Sequence, residues 1–74
     1  MEILIEDAEK LTYLNAKGKW TKTPEEGSGF LSTKAAFAAA KNEPIGKFNI
    51  VHFIPLSGQL INLDYGTGKR QGSH

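Results

Sequence analysis

The segment LTYLNAKGKWTK, residues 11–22, has the pattern of a β-hairpin. Asn15 and Gly18 bracket its middle, and a type I turn favours asparagine at its first position and glycine at its last. That glycine can adopt the left-handed conformation that forms a G1 bulge. Trp20 is then expected on one face of the returning strand, with lysines on the edge or on the other face.

Three further strands are predicted around this hairpin, because each segment is short and rich in β-branched or aromatic residues. They are Ile3–Ile5, Phe48–Ile54 and Gln59–Tyr65. The second has large apolar groups on both faces, which is typical of a central strand. In the last strand, Ile61, Leu63 and Tyr65 are expected to face the core, and Leu60, Asn62 and Asp64 to face outward.

One helix is predicted at about residues 33–41, where five alanines surround Phe37. Ser32 or Thr33 is a suitable N-cap, and Pro44 prevents continuation. One helix with several short strands predicts an α+β fold: a mostly antiparallel sheet of four or five strands, with this short alanine-rich helix packed on one face.

Composition indicates a single small globular domain. The chain has 74 residues, 39% of them hydrophobic and 23% charged, with a net charge of +1. We assign residues 1–68 to the domain and residues 69–74 to a flexible tail, in which Gly72, Ser73 and His74 look like part of an expression tag. No cysteine is present and no apolar run approaches about 20 residues, so a cytoplasmic location is the expectation.

The expected function is that of a non-enzymatic interaction module, because one helix covers only one face of the sheet. An exposed apolar sheet face or an unpaired edge strand is a surface for a protein partner or for a homodimer. Trp20, Tyr13 and Phe53 are the candidate anchors, since large aromatic side chains dominate contact energy once buried.

The first alternative is weak binding of single-stranded nucleic acid by the hairpin. Its basic residues are Lys10, Lys17, Lys19 and Lys22. Lysines interleaved with aromatic rings can bind a strand by charge and stacking. Lysines on a sheet edge also prevent edge-to-edge aggregation, which is the simpler explanation of the same pattern.

The second alternative is a small-ligand or pH-sensitive site around His52, the one histidine outside the tag-like residues. No nucleophile with a matching base is visible, so no enzymatic activity is expected. The acidic residues Glu6, Asp7 and Glu9 are expected to be a solvated surface. No cofactor or metal site is predicted, because the acidic cluster lacks the ligand spacing and the glycine of a calcium loop.

The pattern Tyr13-Leu14-Asn15, Gly18, Trp20-Thr21 and Phe30 before an alanine-rich helix is similar to that of small bacterial or phage reading frames. The resemblance implies a bacterial or phage origin and attaches to no activity.

Overall fold

The computed structural model describes residues 2–69, which form one five-stranded antiparallel sheet with one helix packed against it. The strands are β1 (Glu2–Asp7), β2 (Thr12–Leu14), β3 (Trp20–Thr21), β4 (Lys47–Ile54) and β5 (Gln59–Thr67); the helix is α1 (Thr33–Ala40), and a 3₁₀ turn spans Pro24–Glu26. The order across the sheet is β3-β2-β1-β4-β5, and every neighbouring pair is antiparallel. The predicted α+β fold is confirmed.

The turn between β2 and β3 has the predicted geometry. The amide of Gly18 donates to the carbonyl of Asn15 at 3.0 Å, and Gly18 has a φ of +79°. The side-chain oxygen of Asn15 accepts from the amides of Lys17 and Lys19. Asparagine and glycine therefore each meet a specific requirement of this turn.

Helix α1 begins and ends close to the predicted positions. Ser32 is the N-cap, and its hydroxyl accepts from the amide of Ala35 at 3.0 Å. Ala36 and Ala40 are buried against the sheet, and their small side chains let the helix approach it closely. The ring of Phe37 meets that of Phe48 edge to face, with 5.3 Å between the ring centroids.

Strands β1 and β4 form the centre of the sheet, with Ile5 opposite Ile50 and Leu4 opposite Val51. Residues directly opposite each other share a face, so these two pairs mark the two faces. The buried residues on the helix side are Ile5, Leu14, Ala36, Ala40, Ile45, Phe48 and Ile50. Those on the other side are Leu4, Tyr13, Val51 and Phe53.

Strand β1 extends two residues further than predicted, because Glu6 and Asp7 continue its pairing with β4. Both carboxylates are buried, so the expectation of a solvated acidic surface is wrong for these two residues. The strand ends at Asp7, whose carbonyl accepts from the amide of Leu11 at 2.7 Å. Leu11 closes this turn with a φ of +55°, a left-handed conformation that is unusual for leucine.

Strand β5 does not keep the predicted alternation. Val51 pairs with Asn62 and Ile50 pairs with Asp64, so Leu63 forms a bulge without a partner in β4. Because of this extra residue, each later side chain of β5 lies on the sheet face opposite to the one that regular alternation predicts. Ile61, opposite His52, lies on the helix side, whereas Tyr65, opposite Asn49, lies on the other side. The expectation that Ile61, Leu63 and Tyr65 share a core-facing side is therefore wrong.

The end of the described chain is held by backbone hydrogen bonds. The amide of Gly68 donates to the carbonyl of Gly46 at 2.8 Å, and that of Lys69 to the carbonyl of Glu43 at 2.9 Å. Lys69 was expected to begin the flexible tail; the remaining tail residues, 70–74, lie outside the described residues. Within residues 2–69, none of the helical structure is both long and apolar enough to cross a membrane.

Candidate interaction surface

The sheet face away from α1 is partly covered by the chain itself, through the segment of residues 22–30. The amide of Ser28 donates to the carbonyl of Leu14, and that of Phe30 to the carbonyl of Ile3, both at 2.8 Å. Gly27 lies so close to Leu4 that a Cβ there would be 3.1 Å from a Leu4 methyl carbon. Residues 22–30 therefore cover part of the sheet face that the sequence analysis predicts to be uncovered.

Two of the three candidate anchors, Tyr13 and Phe53, are buried in the cluster that contains Leu4. Trp20 is half-buried and lies on the helix side, packed against the core there. The structure does not bring these three aromatic residues together on one accessible surface. Tyr13 and Phe53 are unavailable as partner anchors unless the domain opens.

Tyr13 instead belongs to a buried hydrogen-bond network centred on Glu6. The hydroxyl of Tyr13 donates to one carboxylate oxygen of Glu6 at 3.0 Å, and the side-chain amide of Asn49 donates to the other at 3.0 Å. Burial, followed by the hydrogen bond and the charge of Glu6, raises the pKa of Tyr13 to about 12. These two donors explain how an acidic residue can be accommodated inside a sheet.

The four lysines of the nucleic-acid hypothesis are all exposed. Lys19 and Lys22 flank β3, Lys17 lies in the turn and Lys10 lies between β1 and β2. The aromatic rings that would stack on bases are not exposed beside them, since Tyr13 is buried and Trp20 packs on the core. The arrangement therefore retains the charge of a nucleic-acid site but not its stacking platform.

His52 lies on β4, on the helix side, between Ile3 and Ile61 of the neighbouring strands. The side chain is half-buried, and its Nε2 atom is buried with no hydrogen-bond partner among the described residues. Beside it is a hollow lined also by Ile54, Pro55 and Leu56. No second titratable side chain lines this hollow, so the structure assembles no acid–base pair there.

Most of the exposed large hydrophobic residues among residues 2–69 lie on or directly before strand β5, which is one edge of the sheet. All nine of its residues are exposed except Gly66, which is half-buried. Its exposed large hydrophobic residues are Leu60, Ile61, Leu63 and Tyr65, with Leu56 in the preceding turn. Tyr65 is 74% exposed. An edge of this kind offers unpaired backbone groups and apolar side chains together.

The two edges of the sheet differ sharply. Strand β3 has two residues and is flanked by Lys19 and Lys22, so it is short and charged. Strand β5 has nine residues and contains no lysine, arginine or proline; its one charged residue is Asp64. Short length and lysine are the usual means of preventing edge pairing, and only β3 has them.

Beside β5, the uncovered part of the sheet face away from α1 forms a shallow hollow of about 470 Å³. Lys47, Asn49, Tyr65 and Thr67 line it. The amide of Asn49 is held there by its hydrogen bond to Glu6. The hollow shows that the open sheet face is continuous with the β5 edge.

The sequence predicts an open face or an edge strand as the partner surface, whereas the exposed apolar residues lie along β5 and not at the candidate anchors Tyr13 and Phe53. A regular alternation predicts that Leu63 and Tyr65 face the core, and the bulge at Leu63 breaks that alternation. The absence of lysine and proline from residues 59–67 was visible in the sequence and identifies the unprotected edge. Comparison of the chain with protein-family models, curated proteins and solved structures gives no significant match.

Proposed function

We propose that this protein is a non-enzymatic interaction module that self-associates by pairing the outer edge of β5 with β5 of a second copy. The observation that supports this is the exposed length of β5, nine residues with four exposed large hydrophobic side chains and no protecting lysine or proline. Addition of a strand to such an edge supplies main-chain hydrogen bonds and side-chain contacts together.

A second copy suits this edge because the surface carries both signs of charge. Asp64 lines one shallow groove on the helix side of β5 together with Lys34 of α1 and Lys41, the C-cap of that helix. In a two-fold pairing each copy presents the same surface to the other. The Asp64 of one copy can therefore approach the lysines of its partner, and β5 has no other charged residue to be repelled.

The size of the domain also favours association. A chain of 74 residues buries a smaller fraction of its surface than a larger domain, and it has no cysteine for a disulfide. Pairing through β5 removes Leu60, Ile61 and Leu63 from water and extends the sheet to ten strands across two copies. Association then stabilises the folded state by mass action.

The test is sedimentation over a concentration series from about 1 µM to about 1 mM, comparing the wild type with Leu63→Lys. Leu63 is 42% exposed and has no partner in β4, so a lysine there leaves the core intact. The wild type is expected to shift from monomer to dimer, and Leu63→Lys to remain monomeric. Leu31→Lys is the matched control, because Leu31 is fully exposed outside β5.

A wild-type chain that stays monomeric throughout this series contradicts the proposal, as does a Leu63→Lys variant that dimerises like the control. The nucleic-acid alternative is tested separately by titrating a labelled oligonucleotide at increasing salt. Binding to Lys10, Lys17, Lys19 and Lys22 would weaken steadily as salt rises. Binding of this kind would add a function to the hairpin without explaining the β5 edge.

A further inference from the structure

The bulge at Leu63 divides β5 into two halves whose side chains alternate out of step. Before the bulge, Leu60 lies on the sheet face away from α1 and Ile61 lies on the helix side, as their partners in β4 show. After the bulge, Asp64 lies on the helix side and Tyr65 lies on the face away from α1. Leu60 and Tyr65 therefore share a face although they are an odd number of positions apart, and the same is true of Ile61 and Asp64 on the other face.

The facing of these side chains limits how β5 can pair with β5 of a second copy. Two antiparallel edge strands form one continuous sheet when the two-fold axis is perpendicular to that sheet, and the helices of both copies then lie on the same face. Residues directly opposite each other in a sheet share a face. An allowed register therefore places helix-side residues of one copy opposite helix-side residues of the other.

One register meets this requirement along almost the whole strand. It places Leu60 opposite Tyr65 of the other copy and Ile61 opposite Asp64 of the other copy, so that residues 59–66 pair with residues 66–59. The two bulges then lie next to each other at the two-fold axis, and neither strand has an unmatched residue. Asp64 is not opposite the Asp64 of the other copy, so this register avoids a pair of like charges.

The other registers match less of the strand or less of its apolar surface. A shift of two residues places Leu60 opposite Thr67 and Ile61 opposite Gly66, so that no two of the exposed large hydrophobic side chains are opposite each other. Pairing either half of β5 with the same half of the second copy matches the facing of side chains only as far as the bulge. The register with Leu60 opposite Tyr65 is therefore the one that the structure favours.

We propose that two copies of this chain pair with Leu60 of each opposite Tyr65 of the other, on the sheet face away from α1; this inference rests on the proposed self-association and specifies its contact. An aromatic ring opposite an aliphatic side chain is a favourable cross-strand pair. Leu60 is 37% exposed and Tyr65 is 74% exposed, so each has surface to bury there. The two-fold axis forms the contact twice, which makes Tyr65 the aromatic anchor of the interface.

Disulfide trapping tests this register, because the chain contains no cysteine of its own. Leu60→Cys and Tyr65→Cys are prepared separately, mixed at a concentration at which the wild type is dimeric, and oxidised mildly. The mixture is expected to give at least about five times more covalent dimer than either variant alone, since a disulfide requires Cβ atoms about 4 Å apart. Ile61→Cys mixed with Asp64→Cys is the second pair, because close and wide pairs alternate along an antiparallel ladder and one of two adjacent pairs is of the close type.

Two further mixtures provide the controls. Leu31→Cys mixed with Tyr65→Cys measures chance collisions, because Leu31 is fully exposed outside β5. Leu60→Cys mixed with Thr67→Cys tests the register that is shifted by two residues. Without any substitution, isotope-filtered NMR of a mixture of labelled and unlabelled wild type is expected to show the Leu60 methyl groups close to the Tyr65 ring of the other copy.

Sedimentation of the same samples under reducing conditions separates this inference from the self-association on which it rests. A wild type that is dimeric but crosslinks best through Thr67, or no better through either expected pair than through Leu31, overturns the register and leaves self-association standing. A dimer in which NMR shows no contact between Leu60 and Tyr65 of different copies has the same consequence. A wild type that stays monomeric overturns the self-association and this contact together.

Discussion

The hydroxyl of Tyr13 donates a 3.0 Å hydrogen bond to the carboxylate of Glu6, and both side chains are buried within the sheet face away from α1. Asn49, 43 residues along the chain from Glu6, donates to the other carboxylate oxygen. The three side chains join β1, β2 and β4. A buried acid thus connects the hairpin to the centre of the sheet.

This pairing predicts that stability is lost at alkaline pH. The pKa of Tyr13 is raised from 10.0 to about 12 by folding. Folding therefore favours the protonated tyrosine, and this contribution is complete below pH 10 and is lost as the pH rises towards 12. The free energy of unfolding is expected to fall by about 2–3 kcal/mol across that interval, at 1.36 kcal/mol per pKa unit.

Tyrosinate absorbance measures the same titration directly. Tyr65 is the only other tyrosine, so Tyr65→Phe leaves Tyr13 as the sole tyrosine to ionise. The midpoint of the Tyr13 titration is expected near the raised pKa of about 12 in the folded protein. A midpoint close to 10 in a chain that is still folded would show that the Tyr13 hydroxyl is not held by Glu6.

Tyr13→Phe is expected to lower the free energy of unfolding at neutral pH by about 1–3 kcal/mol, because it leaves a buried carboxylate with one donor fewer. Denaturation in urea measures the change. A hydroxyl added elsewhere, as in Phe30→Tyr, is not expected to restore the stability that Tyr13→Phe removes. Combining Glu6→Gln with Tyr13→Phe is expected to recover part of that stability. Full additivity of the two changes would contradict their direct interaction.

Leu11→Gly is expected to stabilise the protein by about 0.5–1 kcal/mol, which is unusual for replacement of a leucine. Leu11 has a φ of +55° and is 63% exposed, so glycine relieves the backbone at a small loss of burial. Thermal denaturation shows whether Leu11→Gly raises or lowers the Tm relative to the wild type. Leu31→Gly is the control: Leu31 is also exposed but lacks a positive φ, so it should gain nothing, and an equal effect in both variants would contradict the explanation.

Gly66→Ala is expected to destabilise the fold by about 1–3 kcal/mol through overpacking. A Cβ at Gly66 would lie 2.9 Å from the Phe48 ring and 3.0 Å from the Phe37 ring, closer than carbon atoms normally approach. Gly29→Ala is the matched control, because its Cβ would meet only Glu2 at 3.8 Å. Equal Tm values for the two variants would show that α1 does not pack tightly over β5.

The parts of the fold that depend on local chemistry were predictable from sequence. Asn15 and Gly18 specify their turn through their own backbone preferences, and Ser32, the alanines and Pro44 delimit the helix. The central position of β4 was also predictable, because both of its faces carry large apolar side chains. These signals lie within a few residues of the feature they specify.

The parts that depend on distant contacts were not predictable. Glu6 is tolerated inside a strand because Asn49 lies across the sheet, and Tyr13 is buried by packing that no local pattern encodes. The bulge at Leu63 changes the facing of Tyr65, and a strict period of two cannot anticipate it. The sequence therefore predicts the candidate surface as an edge or open face, while the fold buries two of its three predicted anchors, Tyr13 and Phe53.

Hydrogen exchange of individual backbone amides, followed as the protein concentration is raised, tests pairing through β5 most directly. Self-association at this edge predicts that protection within residues 59–67 increases with concentration, while Trp20 and Thr21 on the opposite edge keep their dilute-solution rates. Exchange rates in β5 that are the same at every concentration would contradict the central claim.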